Sequence, residues 1–399
     1  MSVKKLSIFI AAAAVLLSCQ SAPPPTFQLD YNDADYTVGL SLLETEESNF
    51  LVAGLNGAQG ADINGFAGMV SIDGEVLWTG DYGAEGQERF YQVLPSNNGF
   101  YLLGFAEMGQ IGTYDFYVVE IDPEGEVISE NYYGSESPEM AYSGCSDGNG
   151  GFVIAGGRAN ELGMFSIIVQ NISSDGESLW EQEVSIGDND MAYGVVPTDD
   201  GGYAVTGYTF SNDLGHHNIL IVKFSSDGEV QWENVYGSEI DEAGIDIIQT
   251  ADGGFAVTGF NVAPATGSTD VFLMKTDSEG TQEWMRSYEG ENEESAESIV
   301  QTEEGGYLVA GGQFQSDSGT ARIWKLTPEG ELEWVRDYES GDIAKIGDIV
   351  LSERGGYVAA GYSVDAESQS QSLVLLRTDV LGIIEVPEEA PAEEEESEE

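Results

Sequence analysis

The chain has 399 residues, 41% of them hydrophobic and 51 of them glycine, with 13 Lys and Arg against 72 Asp and Glu and a net charge of −59. That length exceeds one ordinary compact core unless the architecture is modular, and the high glycine content points to many tight turns in place of helices. So large a negative charge repels phosphate backbones and excludes nucleic acid as a partner; it leaves cations (metal ions, basic proteins or bulk salt) as the charged species the surface attracts, or else serves solubility in a salty medium.

The chain opens with "MSVKKLSIFIAAAAVLLSCQ", in which Lys4 and Lys5 precede an apolar run from Leu6 to Leu17. The run is too short to span a bilayer comfortably and reads as a signal peptide over residues 1–18. Its end, Leu16-Leu17-Ser18-Cys19, resembles the lipobox of bacterial lipoproteins. The resemblance implies cleavage before Cys19, lipidation of its thiol, and residence in the bacterial cell envelope, at the outer membrane or the cell surface. Several acyl chains make a stable anchor where one is marginal. An ordinary signal peptide with a chance cysteine is the alternative. Residues 19–25 then form a short polar, Pro-rich tether. Cys145 is the only other cysteine, so no disulfide framework exists. It falls in a first strand, "YSGCSDG", as a small apolar residue expected to be buried.

Between the ends runs a repeat. "TADGGFAVTGF" at Thr250–Phe260 recurs as "TDDGGYAVTGY" at Thr198–Tyr208 and "TEEGGYLVAGG" at Thr302–Gly312. The aromatic after the glycines stands at Phe50, Phe100, Phe152, Tyr203, Phe255, Tyr307 and Tyr357, at intervals of 50, 52, 51, 52, 52 and 50 residues. Each copy carries four short apolar runs, which in the fifth are Ile245–Thr250, Gly254–Phe260, Asp270–Asp277 and Gln282–Tyr288. Four such runs joined by Gly turns, with no helical period, predict one four-stranded antiparallel sheet per copy. A sheet of this kind must bury both faces, and seven arranged radially do so without long edges. The expected fold is therefore all-β, a seven-bladed β-propeller over residues 26–386. The Gly turn is not a phosphate cradle, because no helix follows it and no Lys is present in it.

A second unit, an acid-Gly turn ending in tryptophan, joins the third and fourth strands. It places Trp78, Trp180, Trp232, Trp284 and Trp334 at one structural position, with Ser129 standing in the second copy. This hairpin resembles the tryptophan-docking motif of quinoprotein-like propellers, and also the aspartate box of sialidases with its glycine one place early. In both families the feature is architectural, which implies that each tryptophan plugs the gap to the next blade. The whole pattern resembles a repeat of bacterial secreted and lipoprotein β-propellers. That resemblance implies a fold; it names no function, because propellers host many.

Closing the ring needs a fourth strand from one of the ends. Phe27–Tyr31 ("FQLDY") keeps the tyrosine that ends the other fourth strands, whereas Ile383–Val386 is degraded, so the N-terminal segment is expected to complete the last blade. The end of the chain, residues 387–399, is a low-complexity acidic tail that buries no apolar surface and is expected to be disordered.

No motif for catalysis stands out. His216 and His217 are the only histidines; no HExxH and no paired Cys accompany them as zinc ligands, and no G-x-S-x-G elbow is present. Strand arginines Arg286, Arg336 and Arg377 are expected to pair with neighbouring acids. An acid recurs just before the first strand at Glu88, Glu139, Asp190, Glu242 and Glu294. These are expected to ring the mouth of the central tunnel, where a cation would relieve their repulsion, and they are the candidate Ca²⁺ ligands; otherwise no cofactor is expected. The uniform Gly turns lie on one face, and the variable loops between second and third strands lie on the other, where binding usually resides. The sequence thus favours a lipid-anchored, non-catalytic binding or scaffold module for an envelope protein or a glycan. The alternatives are a carbohydrate-active enzyme (a glycan hydrolase or lyase) and a lectin.

Overall fold

The computed structural model describes residues 24–384, apart from 59, 61, 84–85, 110–111, 212–214, 263–266, 291 and 316–317. The signal peptide, Cys19, most of the tether and the acidic tail lie outside the described residues. Among those described there is no helix. The described residues form twenty-eight strands, in antiparallel sets of four. Five sets are separate sheets, from Glu88–Tyr133 to Glu293–Tyr338. The remaining eight strands form one mixed sheet, in which the strands of Tyr36–Tyr82 touch those of Ile343–Thr378 through a single parallel pair, Tyr36 with Gln371. The arrangement is that of a β-propeller.

The repeat maps onto this architecture residue by residue. Each of the seven aromatics from Phe50 to Tyr357 is the first residue of a second strand. The turn before it uses glycines at positive φ, as at Gly253 (φ 84°), a conformation that costs other residues strain. In the fifth set the fourth strand spans Gln282–Tyr288, as the pattern predicts, but the first strand begins at Glu242, three residues before the expected Ile245.

Second and third strands are buried on both faces, which is why they read as unbroken apolar runs. Val153 and Val169 of one sheet pack with Val205, Leu220 and Val222 of the next, all of them fully buried. Each such side chain contributes roughly 1.5–3 kcal/mol.

The tryptophans dock as the hairpin motif implies, and the structure shows on what. Trp78 lies against Gly125 of the following sheet, Trp180 against Gly228, Trp232 against Gly280, Trp284 against Gly330 and Trp334 against Gly382. Each glycine has positive φ, and a Cβ there would meet the indole at 2.6–2.9 Å. The tyrosine that ends the fourth strand completes the clasp: Tyr82 donates to the Gly125 carbonyl at 2.9 Å and Tyr288 to that of Gly330 at 2.8 Å. At Gly176, opposite Ser129, no ring lies within contact distance and only the Tyr133 hydroxyl is near.

The N-terminal segment closes the structure. Phe27–Tyr31 pairs antiparallel with the strand Gln371–Thr378 in the place of a fourth strand. Phe27 takes the position of the docking tryptophan and packs on Gly74. The guanidinium of Arg377, fully buried, donates to the carbonyls of Pro24, Pro25 and Gly355. The expected carboxylate partner for Arg377 is thereby replaced by backbone, because its third-strand position faces the incoming chain. Arg286 does pair with an acid, Glu331 at 2.8 Å, whereas Arg336 donates to the Leu381 carbonyl and lies over Trp334.

Candidate functional site

Every first strand carries a β-bulge at the same place. The register slips around Leu40, Tyr91, Tyr142, Tyr193, Ile245, Glu297 and Gly347 in turn. A bulge re-aims one side chain, and these seven residues line a single cavity of about 500 Å³ in the centre of the ring, bordered by all seven first strands.

The cavity has two unlike walls. On three consecutive sheets the bulge residue is tyrosine, and the rings form an arc: Tyr91 to Tyr142 is 5.1 Å between centroids and Tyr142 to Tyr193 is 5.2 Å, both edge-to-face. The arc continues outward. Phe105 stacks on Tyr91 and meets Tyr114, while Tyr208 follows Tyr193 and meets His217. Tyr114 begins a third strand and His217 lies at the start of another, so this aromatic run sits at the variable-loop end of the channel. Burial pushes the Tyr142 hydroxyl up to about 12 and that of Tyr193 further up. On the opposite wall Glu297 pairs with Lys345 at 2.5 Å, and the Lys345 ammonium stands 5.8 Å over Phe314.

Below the bulges a belt of side chains ties five of the seven first strands to a neighbour, while Gln92 donates to Ser41 and to the Val93 carbonyl. The residue after the bulge accepts a backbone N–H from the neighbouring first strand: Ser41 from Val93, Ser143 from Val195, Asp246 from Ile299, Ser298 from Ile349 and Asp348 from Leu42. Gly194 has no side chain to offer, and there the Ile247 N–H turns to Asp246 of its own strand at 2.8 Å. Asp348 accepts from Ser41, Leu42, Ser298 and Ile349, which occupies both of its oxygens. Burial raises the Asp246 carboxyl to about 7 and that of Asp348 to about 6, against the pull of these hydrogen bonds.

The acids expected to ring the mouth stand where the first strands begin, but they are buried and engaged. Glu88, Glu139 and Glu242 are the first residues of first strands, Asp190 and Glu294 the second, and all five are buried. They fold back onto the preceding turn or onto an arginine. Asp190 accepts the N–H groups of Ile186 and Gly187, and Glu242 that of Ser238. Glu139 pairs with Arg158 at 2.8 Å and Glu294 with Arg322, and Glu88 packs against Gly83. Three are therefore held at the loop that leads into their strand and two by an arginine of their own sheet. Among the described residues no group of three metal-capable side chains converges. His217 is held by Asp241, which accepts its backbone N–H and lies 2.9 Å from Nδ1. Cys145 is buried, and burial raises its thiol far above the ordinary range.

Two features escaped the sequence reading. One is the tyrosine arc, although Tyr91, Tyr142 and Tyr193 recur at a 51-residue spacing in equivalent first strands. The other is the partner of the acidic turn. Asp200 and Asp252 each bind a buried third-strand lysine, Lys223 and Lys275, at 3.0 Å. The common Lys in "IVKF" and "LMKT" is the signal that pairs with "DGG".

No family model matches the chain, and none of the curated proteins matches it. Solved structures do. An ulvan lyase, a polysaccharide lyase, aligns at a TM-score of 0.58 with 9% identity over 89% of this chain and 96% of that one. The WD40 domain of Pan2 from Neurospora crassa aligns at 0.52 with 11% identity, over 91% and 92% of the two chains. Sqt1 from Chaetomium thermophilum, bound to the N-terminus of a ribosomal protein, aligns at 0.50 with 10% identity, over 88% and 98%. At such identities the likeness is one of fold: all are propeller proteins, and their activities differ.

Proposed function

We propose that this protein is a seven-bladed β-propeller, held to the bacterial cell envelope by lipid on Cys19, that acts as a non-catalytic binding module for a protein or glycan ligand. The seven-fold count is supported by the docking junctions, which run from Phe27 on Gly74 to Trp334 on Gly382. The repeat is the one that resembles those of bacterial secreted and lipoprotein propellers.

One observation carries the functional reading. Phe27 pairs with Arg377 at the turn-face end of its sheet, and Arg377 holds Pro24 and Pro25 there. The peptide from Cys19 therefore joins the ring on the face of the uniform Gly turns. The tyrosine arc and the variable loops are on the other face. Six residues from Cys19 to Pro25 reach at most ~20 Å, so the anchor keeps the turn face toward the lipid and directs the variable-loop face outward, where ligands arrive.

Energy transfer to headgroup-labelled lipid tests this orientation. The full-length protein, in a Cys145→Ser background, carries a donor dye at Leu162→Cys on the variable-loop face or at Glu331→Cys on the turn face. Stronger transfer from Glu331→Cys is expected; equal or reversed transfer rejects the outward-facing arrangement.

One observation favours the enzyme reading as runner-up. The imidazole of His217 is oriented by Asp241 and packs at 90° to the Tyr208 ring with centroids 4.8 Å apart, which makes it a held imidazole of the kind a general base requires. Turnover of a glycan that is lost in His217→Gln decides for it.

A further inference from the structure

The channel mouth is the part of the variable-loop face with the most defined chemistry, and this inference rests on that face being the binding face. We propose that the mouth between Tyr91, Tyr142 and Tyr193 on one side and Glu297 with Lys345 on the other is a subsite for a neutral oligosaccharide. A pyranose ring has an apolar face of C–H groups and an edge of hydroxyls. The cavity offers the same division. Its three phenol rings are brought to one side by bulges on the first strands of consecutive sheets. Its opposite wall carries the Glu297 carboxylate, which the Lys345 ammonium holds from outside the lining, with Gln92 and Ser143 also lining the space. A volume of about 500 Å³ lies within the ~300–1,000 Å³ range of ligand pockets and admits a short oligosaccharide.

The charges present argue against the other ligand classes. A metal ion needs a carboxylate without a partner, and the three at the channel are engaged: Glu297 by Lys345, Asp348 by four donors, and Asp246 by the N–H groups of Ile247 and Ile299. An anion meets the field of a chain carrying −59. A wholly apolar ligand would strip water from the Glu297–Lys345 pair without replacing its hydrogen bonds. A neutral polyol replaces them, and stacks.

The experiment is calorimetric titration of the full-length protein with cellotriose, maltotriose, laminaritriose, chitotriose and mannotriose, beside trigalacturonate as the anionic probe and spermidine as the cationic one. At least one neutral trisaccharide is expected to bind, with affinity lowered about tenfold or more in Tyr142→Ala and in Tyr193→Leu and mostly kept in Tyr142→Phe. Melting curves of each variant report folding, and Tyr193→Leu retains bulk should Tyr142→Ala unfold. Absence of binding by all five neutral sugars overturns the proposal, as does binding that the tyrosine variants leave unchanged. Binding of trigalacturonate or spermidine alone, lost in Tyr142→Ala, overturns the ligand class while the mouth stands as a binding site. A neutral sugar whose binding follows Leu162→Asp and ignores the tyrosines overturns the subsite while the outward face stands.

Discussion

Arg377 donates from Nη1 to the carbonyl oxygen of Pro25 at 3.0 Å, joining the last complete third strand to the first described residues of the chain across 352 positions. Among the described residues its guanidinium is the largest cationic group that is fully buried. Hydrogen bonds to a charged donor are worth roughly 1.5–3 kcal/mol. Arg377→Met is therefore expected to lower the melting temperature and to release Phe27–Tyr31 specifically. Hydrogen exchange reads this directly: faster exchange at Leu29 and Tyr31 with little change at Val153 is the expected pattern, and uniform protection would show that the clamp contributes nothing to closure.

Removing the strand itself goes further. Deleting Thr26–Tyr31 exposes the edge of Gln371–Thr378 and leaves Gly74 without its aromatic cover. The ring should lose stability as a whole, because each sheet is buried against both of its neighbours. Deleting residues 387–399 should leave the melting temperature where it was. Equal melting temperatures for the two truncations would reject closure by the N-terminal strand.

Trp232 and Gly280 form one junction. A methyl group at Gly280 would stand 2.8 Å from the indole, at a residue with φ 77°. Gly280→Ala is expected to cost about 1–3 kcal/mol through strain. Trp232→Ala, whose ring is half-buried, should cost about 2–4 kcal/mol. Since both act on the same contact, the double variant should lose less than the sum. Urea denaturation of the four proteins checks this, and strict additivity would show that the two residues do not share a contact.

Protonation of the channel belt sets a pH dependence. Asp246 and Asp348, raised by burial to about 7 and about 6, bind a proton more tightly folded than unfolded. Their contribution to stability is present below the ordinary value near 3.8 and is lost as pH rises toward 7. Asp200 and Asp252 have the opposite sign. Some burial works against them, but the hydroxyls of Thr198 and Thr250 and the ammonium groups of Lys223 and Lys275 bring them to about 2. Their contribution is present above about 3.8 and is lost as pH falls toward 2. Thermal stability should peak at mildly acidic pH and decline toward pH 8. Asp246→Asn should flatten the decline between pH 5 and 8, measured by melting in matched salt; an unchanged slope would assign the decline to the net charge instead.

Chain-local physics made the repeat legible. The Gly turns need positive φ, the aromatics open second strands, and the doubly buried strands are unbroken apolar runs; each of these is settled within a dozen residues, as in Thr250–Phe260. The acid-Gly-Trp hairpin was readable for the same reason, and Phe27–Tyr31 announced itself by its terminal tyrosine. The site was not readable in this way. A first strand such as Glu139–Ser146 alternates its faces with period two, and one inserted residue at Tyr142 turns the phenol toward the axis; the register against Gly156 and Ala155 is what reveals the insertion. The acids from Glu88 to Glu294 looked like open charges because sequence shows spacing and hides the loop or the arginine that engages each carboxylate. That Tyr193 and Glu297 line one cavity is decided only when the sheets are closed into a ring. Those residues stand 104 positions apart, and no local interaction links them.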